Sequence, residues 1–178
     1  MNAIRSEASL LIVFTNLSRF SAQSLRQNDI ETADVIDAYY EQLATAAEAA
    51  GGRVVKFIGD GALIVFPEDA VDRGVDMLLK TKASIDILMS GRGWECRFGA
   101  RAHLGTVVAG PFGSPAGKNY DVIGKAVNET ALIDYPAGIT LSAEAFRKLS
   151  PELQTHFKEN TQPMTYIRTE DPQPFRRK

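Results

Sequence analysis

Two short apolar runs, at residues 54–58 and 62–66, stand out in the first half of the chain, with only Gly59, Asp60 and Gly61 between them. An Asp-Gly step between runs of strand length is a strong hairpin signal, because these residues tolerate the backbone angles of a tight turn. The pattern therefore predicts a β-hairpin that carries the Asp60 carboxylate at its tip.

Before the hairpin, the pattern predicts one strand and one helix. Residues 10–14 are continuously apolar, as in a buried strand, and a polar segment at residues 15–21 follows. Asn28 and Glu31 form a capping box at the start of a helix, and Gly51 lies at its end. The apolar residues at helical spacing within it are Ile30, Ala33, Ile36, Tyr40, Leu43 and Ala47.

After the hairpin, helical and strand-like patterns continue without a regular alternation. A second amphipathic helix carries Val71, Val75, Leu78, Leu79, Ile85 and Leu88. The later elements are predicted as a strand at 95–108, a loop at 109–119, a short strand at 120–123, a helix at 124–133, a strand at 138–141 and a helix from Ser142. This order is typical of an α+β fold, with a mixed or antiparallel sheet, helices on one face and a β-hairpin arm.

Composition narrows the range of partners. The length of 178 residues and the apolar fraction of 44% predict one folded domain over residues 1–178, with a weakly patterned segment at 150–178. The net charge of -2 provides no positive field for a nucleic acid. Cys96 has no second cysteine to pair with, and the first residues lack the long apolar stretch of a signal peptide or membrane span. We therefore expect a cytoplasmic protein that binds neither nucleic acid nor membrane.

The hairpin also holds Lys56, a charged residue inside an otherwise apolar strand, four positions before Asp60. Structural roles alone account for both residues: an aspartate in a turn, and a lysine that keeps an edge strand soluble. The flanking glycines also let a ligand approach the backbone closely, so the tip is a candidate binding site. The hairpin by itself leaves both interpretations open.

Three segments together resemble the catalytic domain of the class III nucleotidyl cyclases, the adenylate and guanylate cyclases. They are IVFTNLSRFS at residues 12–21, GGRVVKFIGDGALIVF at 51–66 and AHLGTVVAGPFGSPAGKNYDVIGKAVNETAL at 102–132. They occur in the family's order within residues 10–141, the part of the chain that the resemblance covers. The resemblance implies a ferredoxin-like βαββαβ core, a dimer with nucleotide sites at its interface, and cyclisation of a nucleoside triphosphate with release of pyrophosphate.

Only one of the family's two metal-binding aspartates is retained. By resemblance, Asp60 matches the second aspartate, whereas the first falls on Asn16. Such sites hold two Mg2+ or Mn2+ ions roughly 3.5 to 4 Å apart, bridged by carboxylates. Because an amide is a neutral and weaker ligand, we expect poor binding of at least one ion, and no metal at all if the domain is inactive.

The loop after the first strand departs from the family a second time. Arg19 stands where the resemblance implies a glycine, and we take Arg19 and its neighbour Leu17 as candidate substrate-binding residues. Backbone amides in this loop of the family cradle phosphate. Arg19 therefore either crowds the triphosphate or supplies a cation that replaces lost metal charge.

The residues that contact the nucleoside are better preserved. By resemblance, Lys56 and Asp121 match the pair that reads the adenine edge, which favours ATP over GTP, and Asn128 matches the residue that positions the ribose. Leu132 stands where the family has an arginine that stabilises the transition state. Leucine donates no hydrogen bond, and losing one such donor typically lowers the rate by roughly 100- to 1000-fold.

Three further basic residues are considered for the site: Lys125, His103 and Arg168. Lys125 is a candidate substitute for the missing arginine, although lysine lacks the forked donors of arginine; an early helix start would put it on one stripe with Asp121 and Leu132. His103 is interpreted as a packing residue, because no acid or second histidine has the spacing of a ligand or base. Arg168 lies in sequence that does not resemble the family, and we assign it no role in the site.

Three functions remain open on the sequence. The first is a degenerate cyclase homology domain that binds a nucleotide and regulates a partner through dimerisation, since Asn16, Arg19 and Leu132 all depart within one site. The second is an active adenylate cyclase, as a homodimer or in a heterodimer whose partner supplies the missing aspartate. The third is an assembly scaffold that binds no nucleotide.

Overall fold

Eight strands form one sheet in the computed structural model, which describes residues 4–134, 138–161 and 164–169. The strands are β1 (Ser6–Leu17), β2 (Arg53–Ile58), β3 (Gly61–Pro67), β4 (Phe98–Ser114), β5 (Gly117–Ile123), β6 (Ile139–Ser142), β7 (Phe157–Thr161) and β8 (Met164–Arg168). The helices are α1 (Phe20–Ser24), α2 (Asp29–Ala49), α3 (Val71–Gly91), α4 (Lys125–Leu132), α5 (Ala143–Arg147) and α6 (Pro151–Gln154). The strand order is β2-β3-β1-β4-β6-β8-β7, and β5 pairs with β4.

The ferredoxin-like core that the resemblance implied is confirmed. β1, α2, the β2–β3 hairpin, α3 and β4 follow one another in βαββαβ order. β1 lies between β3 and β4 and is antiparallel to both. The pairing of β4 with β6 is parallel, so the sheet as a whole is mixed. The predicted α+β class is therefore correct.

α2 begins where the sequence predicts, and its buried stripe shares Leu43 and Ala47 with the predicted one. Asn28 caps the helix by accepting a hydrogen bond from the Glu31 amide at 2.8 Å. Ile30, on the predicted stripe, is 76% exposed. The residues of α2 that lie in the core are Val35, Tyr39, Leu43 and Ala47. Adjacent apolar residues such as Tyr39 and Tyr40 are compatible with two stripes, and packing against the sheet selects one of them.

The later helices follow the predicted order. α3 fills the segment between the hairpin and the long strand β4, and α5 begins after Ser142, whose hydroxyl accepts a hydrogen bond from the Ala145 amide at 3.2 Å. Within the described ranges, no helix combines the length and the apolar character needed to cross a membrane.

Different elements cover the two faces of the sheet. α2 and α3 pack on one face, where they form the main core with β1, β3 and β4. On the other face, α4 packs on β1 and β4, and β5 reaches across to β2, so the expectation of helices on one face only is wrong. α4 and β5 form a second apolar cluster with β1, β3 and β4, which consists of Leu10, Ile12, Leu63, Val65, Val107, Ala109, Val122 and Ala126. This second face carries most of the residues that the resemblance assigned to the nucleotide.

Two segments differ from the prediction. β4 runs on to Ser114, through residues predicted as a loop, because it pairs with β5 along that length. Past residue 150, where the sequence has no clear pattern, β7 and β8 form a hairpin that extends the sheet beyond β6. β7 reads FKENT, and such a short polar strand has almost no alternation to detect.

Candidate functional site

The tip of the β2–β3 hairpin packs directly against the end of β1. The predicted tight hairpin is present: β2 and β3 pair as far as Ile58 and Gly61, so only Gly59 and Asp60 form the turn and Gly61 belongs to β3. A Cβ at Gly61 would lie 2.2 Å from the Thr15 carbonyl oxygen. No side chain fits in that gap, so packing against β1 requires glycine there.

Two adjacent tyrosines of α2 hold the same region through their hydroxyl groups. The Tyr39 hydroxyl lies 2.9 Å from Thr15 Oγ1, and the Tyr40 hydroxyl donates a hydrogen bond to the Gly59 carbonyl oxygen. Burial, and after it the Asp60 charge, raise the pKa of Tyr40, so its phenol remains a donor at neutral pH. The apolar pattern treated Tyr40 only as part of a helix stripe and carried no signal of this contact.

Asp60 faces the end of β1. One oxygen of its carboxylate accepts a hydrogen bond from the Leu17 amide at 3.2 Å. Asn16 is adjacent, since its Cα would lie 3.6 Å from a Cβ at Gly61. The structure therefore brings the two candidate metal positions, Asp60 and Asn16, to the same place. The Leu17 side chain is only 1% exposed, so its backbone is the part that faces the site.

This donor set does not fit a pair of divalent ions. Asp60 supplies one carboxylate and Asn16 one amide, and the described ranges contain no cluster of three or more His, Cys, Asp or Glu side chains suited to a metal. Burial, and secondarily Asp60, raise the pKa of Cys96 to about 11, so this buried thiol is protonated at neutral pH. Class III cyclases generally use Mg2+ or Mn2+. Asp60 would hold one such ion, and a second ion would lack the second carboxylate that the resemblance implies.

Arg19 adopts a backbone conformation that normally belongs to glycine. Its φ of 61° is the one positive value among the described residues other than glycine, which explains why a glycine suits this position. The Arg19 guanidinium donates a hydrogen bond to Glu95 Oε2 at 3.1 Å, and both side chains are largely exposed. Exposed ion pairs contribute only about 0 to 1 kcal/mol, so an anionic ligand can displace Glu95 from Arg19.

Lys56 and Asp121 meet on the second face of the sheet. Lys56 Nζ lies 2.6 Å from Asp121 Oδ2, and the Val122 amide donates to Asp121 Oδ1 at 2.8 Å. The pairing of β2 with β3 is irregular between Val54 and Lys56, and such a bulge redirects a side chain. The pair is partly open to solvent, with 45% of the lysine and 26% of the aspartate side chain exposed. It presents a donor beside an acceptor, as recognition of a purine edge requires.

α4 carries the remaining candidates, in an order that corrects one expectation. The helix begins at Lys125, so Asp121 belongs to β5 and not to the helix stripe. Asn128 is exposed, and Leu132 is 83% exposed. Lys125 Nζ lies 3.4 Å from Glu129 Oε1. Lys125 and Leu132 are separated by about 10 Å along the helix axis, which makes Lys125 a poor substitute for a donor at position 132.

His103 has acidic neighbours that the sequence did not indicate. Its side chain is 12% exposed, and Nδ1 lies 2.9 Å from the Ser142 hydroxyl oxygen. The Glu129 and Glu144 carboxylates each lie 3.5 Å from a ring nitrogen. The sequence spacing gave no sign of these acids, because it is the packing of α4 and α5 that brings them to β4. Arg168 lies in β8, toward the sheet edge opposite β2.

The family model of the adenylate and guanylate cyclase catalytic domain matches residues 3–170. The chain belongs to this family. An adenylate cyclase from Anabaena cylindrica is 25% identical over 158 residues, which cover 82% of this chain and 32% of that protein. The chain thus spans a third or less of the length of the curated relatives that it matches.

Solved structures with the same fold include cyclases and a cyclase-like protein. The adenylyl cyclase CyaB from Pseudomonas aeruginosa has a TM-score of 0.80 at 15% identity, over 98% of this chain and 100% of that chain. A class III adenylyl cyclase-like ATP-binding protein from Pseudomonas aeruginosa has a TM-score of 0.71 at 14% identity, over 85% of this chain and 37% of that chain. At these identities the likeness establishes the fold.

Proposed function

We propose that this chain is a cyclase homology domain that binds ATP, does not cyclise it efficiently, and acts as a regulatory module within a dimer. One observation carries the proposal: the Lys56–Asp121 pair is assembled at 2.6 Å, whereas Asn16 lies beside the hairpin tip where the resemblance implies a second metal-binding carboxylate. The domain is therefore suited to hold a nucleotide more than to transform it.

The base end supports a preference for ATP. The Lys56 ammonium is a donor and the Asp121 carboxylate an acceptor, which complements the adjacent acceptor N1 and 6-amino donor of adenine. Guanine presents the reverse order, so the Lys56 ammonium would face the N1–H donor and the Asp121 carboxylate would face the O6 acceptor. Sites that leave polar groups unpaired discriminate strongly against the wrong ligand. The same fold in a cyclase-like ATP-binding protein is consistent with a binding role.

The phosphate end argues against efficient turnover. Cyclisation needs an activated 3'-hydroxyl and stabilisation of charge on the phosphates, which two metal ions and a cationic donor normally provide. Asn16 removes one carboxylate from the metal position, and Leu132 removes the donor. Neither change disturbs the fold, because Asn16 lies in a paired strand and Leu132 is exposed.

Exposed apolar side chains support a partner domain. Ile58 is 54%, Ile123 is 53% and Leu132 is 83% exposed. They lie at the ends of β2, β5 and α4, the elements that carry the candidate site. Burial of such residues stabilises an interface, and the partner is either a second copy or a related cyclase domain.

The test combines binding and turnover. The purified chain is titrated with ATP and GTP by calorimetry, and separately incubated with each nucleotide in excess Mn2+ while cyclic nucleotide is quantified by mass spectrometry. Asp60→Ala is the control for metal-dependent turnover. We expect ATP binding that is tighter than GTP binding, with no cyclic nucleotide above the level of the control. Robust cyclic AMP production by the wild type contradicts the proposal, and absence of ATP binding contradicts it from the other side.

A second candidate function is an active adenylate cyclase, working as a homodimer or with a complementing partner. The observation in its favour is Arg19, which follows Asn16 by three residues and whose exposed guanidinium pairs with the exposed Glu95. Under this alternative, cyclic AMP forms in Mn2+ and disappears in both Asp60→Ala and Arg19→Ala. Mixing with full-length cyclases of the same source tests the heterodimer, since only a complementing partner raises the activity of the mixture.

A further inference from the structure

Lys56 and Asp121, the proposed base-reading pair, have Arg53 and Tyr120 as neighbours. Arg53 and Tyr120 form a contact to which no role has been assigned. Arg53 is three residues before Lys56 on β2, and Tyr120 directly precedes Asp121 on β5. The Arg53 guanidinium carbon lies 3.9 Å from the centre of the Tyr120 ring, a distance typical of a cation–π contact. A stack and an ion pair therefore join the same two strands side by side.

These contacts matter because side chains, and not a backbone ladder, join β2 to β5. Among the described strands, β2 is hydrogen-bonded to β3 and β5 to β4. An ion pair as exposed as Lys56–Asp121 restrains its partners only weakly. Tyr120 is stacked on Arg53, and Val122 on the other side of Asp121 is buried in the apolar cluster. Asp121 thus lies between two residues whose side chains have contacts of their own.

We propose that Arg53 and Tyr120 are positioning residues that determine base specificity: their stack fixes the spacing of Lys56 and Asp121. The inference rests on the proposed ATP-binding function and deepens it. A donor and an acceptor at fixed places match adenine and oppose guanine, whose N1–H and O6 present the reverse order. An Asp121 that is able to swing away removes the repulsion with guanine O6 and loses the hydrogen bond from the adenine amino group. Loss of the stack therefore lowers discrimination.

The same arm provides a matched control. The Arg5 guanidinium carbon lies 4.3 Å from the centre of the Phe112 ring, and Arg5 Nε donates to the Pro111 carbonyl oxygen at 3.1 Å. Phe112 pairs with Asn119, farther from the base-reading pair than Tyr120 is. Removing this second stack perturbs the arm with the same chemistry but leaves the neighbours of the base-reading pair unchanged.

The test compares Tyr120→Leu and Arg53→Gln with Tyr120→Phe, which keeps the ring, and with the control Phe112→Leu. Exchange of the Val122 amide proton is measured by NMR without nucleotide, and the dissociation constants of ATP and GTP are measured by calorimetry. In Tyr120→Leu and Arg53→Gln we expect about tenfold faster exchange at Val122 and about fivefold loss of the preference for ATP. Tyr120→Phe and Phe112→Leu retain wild-type values. Unchanged exchange in β1 shows that each variant is folded.

The outcomes separate this inference from the proposed function. An unchanged ATP preference in both Tyr120→Leu and Arg53→Gln overturns the inference and leaves ATP binding by the wild type standing. An equal loss in Phe112→Leu also overturns it, because the effect then belongs to the arm as a whole. If the wild type binds neither nucleotide, the proposed function fails, and the Val122 exchange rate still decides whether the stack restrains its strand: faster exchange supports the restraint and unchanged exchange overturns it.

Discussion

The base end and the phosphate end of the candidate site differ in how completely they are built. At the base end, Lys56 and Asp121 form an ion pair and the second oxygen of Asp121 is also hydrogen-bonded. At the candidate metal position, Asp60 stands beside Asn16, and Leu132 at the end of α4 is 83% exposed. The hairpin tip is held by contacts of Gly61 and Tyr39 with Thr15, of Tyr40 with Gly59, and of Asp60 with the Leu17 amide. The Lys56–Asp121 ion pair uses none of these groups.

The largest effect is expected when the two groups that the resemblance implies for metal and phosphate are restored. The double variant Asn16→Asp with Leu132→Arg returns a carboxylate and a guanidinium to positions that tolerate them, since Asp is the size of Asn and Leu132 is exposed. We expect cyclic AMP production to rise by roughly 100- to 1000-fold or more over the wild type, because one preorganised donor alone has that effect. Mass spectrometry of reactions with ATP and Mn2+ measures it.

The single variants are the controls for this restoration. Because the groups act together, Asn16→Asp alone and Leu132→Arg alone should each restore much less than the pair. A double variant that binds ATP but remains inactive means that a further group is missing from the phosphate end, and that Asn16 and Leu132 do not by themselves explain the loss of turnover.

Removing the lysine of the base-reading pair has the next largest effect. Lys56→Gln should weaken ATP binding by about 10- to 100-fold, because hydrogen bonds to charged groups contribute about 1.5 to 3 kcal/mol. Calorimetry measures the change. Lys80→Gln is the matched control, since Lys80 forms a 2.6 Å ion pair with Asp76 on α3. Equal affinities for the wild type and Lys56→Gln would show that the nucleotide does not contact this pair.

Substitution of Gly59 and of Gly61 tests whether the hairpin tip packs against β1. A Cβ at Gly61 would meet the Thr15 carbonyl oxygen at 2.2 Å, whereas at Gly59, with φ of 57°, a Cβ would meet nothing within 4 Å. We expect Gly61→Ala to lower the free energy of unfolding by about 3 kcal/mol and Gly59→Ala by about 1 kcal/mol, the latter from backbone strain alone. Urea denaturation compares the two. Equal losses would mean that the tip is not pressed against β1.

The smallest effect concerns the backbone at Arg19. Arg19→Gly relieves a left-handed conformation, so it should raise the free energy of unfolding by about 0.5 to 1 kcal/mol, despite the loss of the exposed pair with Glu95. Ser21→Gly, inside α1, should lower it by about the same amount. Thermal unfolding distinguishes the two signs. A lower free energy of unfolding in Arg19→Gly would mean that the Glu95 contact stabilises the fold by more than an exposed ion pair normally does.

Much of the fold was predictable because its signals are local. The hairpin follows from Asp60-Gly61 between apolar runs, and the start of α2 from Asn28 and Glu31. Elements with polar or irregular sequence were missed, as in β7 and the far end of β4, where pairing with a neighbouring strand supplies the order. The buried stripe of α2 was predicted only in part, because apolar residues on adjacent positions allow more than one face.

The candidate site divides in the same way. The sequence alone determined the identity of its residues: a lysine and an aspartate where the resemblance implies base recognition, one carboxylate where it implies two, and a leucine where it implies an arginine. Only the tertiary structure decided which groups meet, because residues 53 and 120, 40 and 59, and 103 and 129 are far apart along the chain. Residue types set what chemistry is available, and long-range packing of strands and helices sets the distances at which it acts.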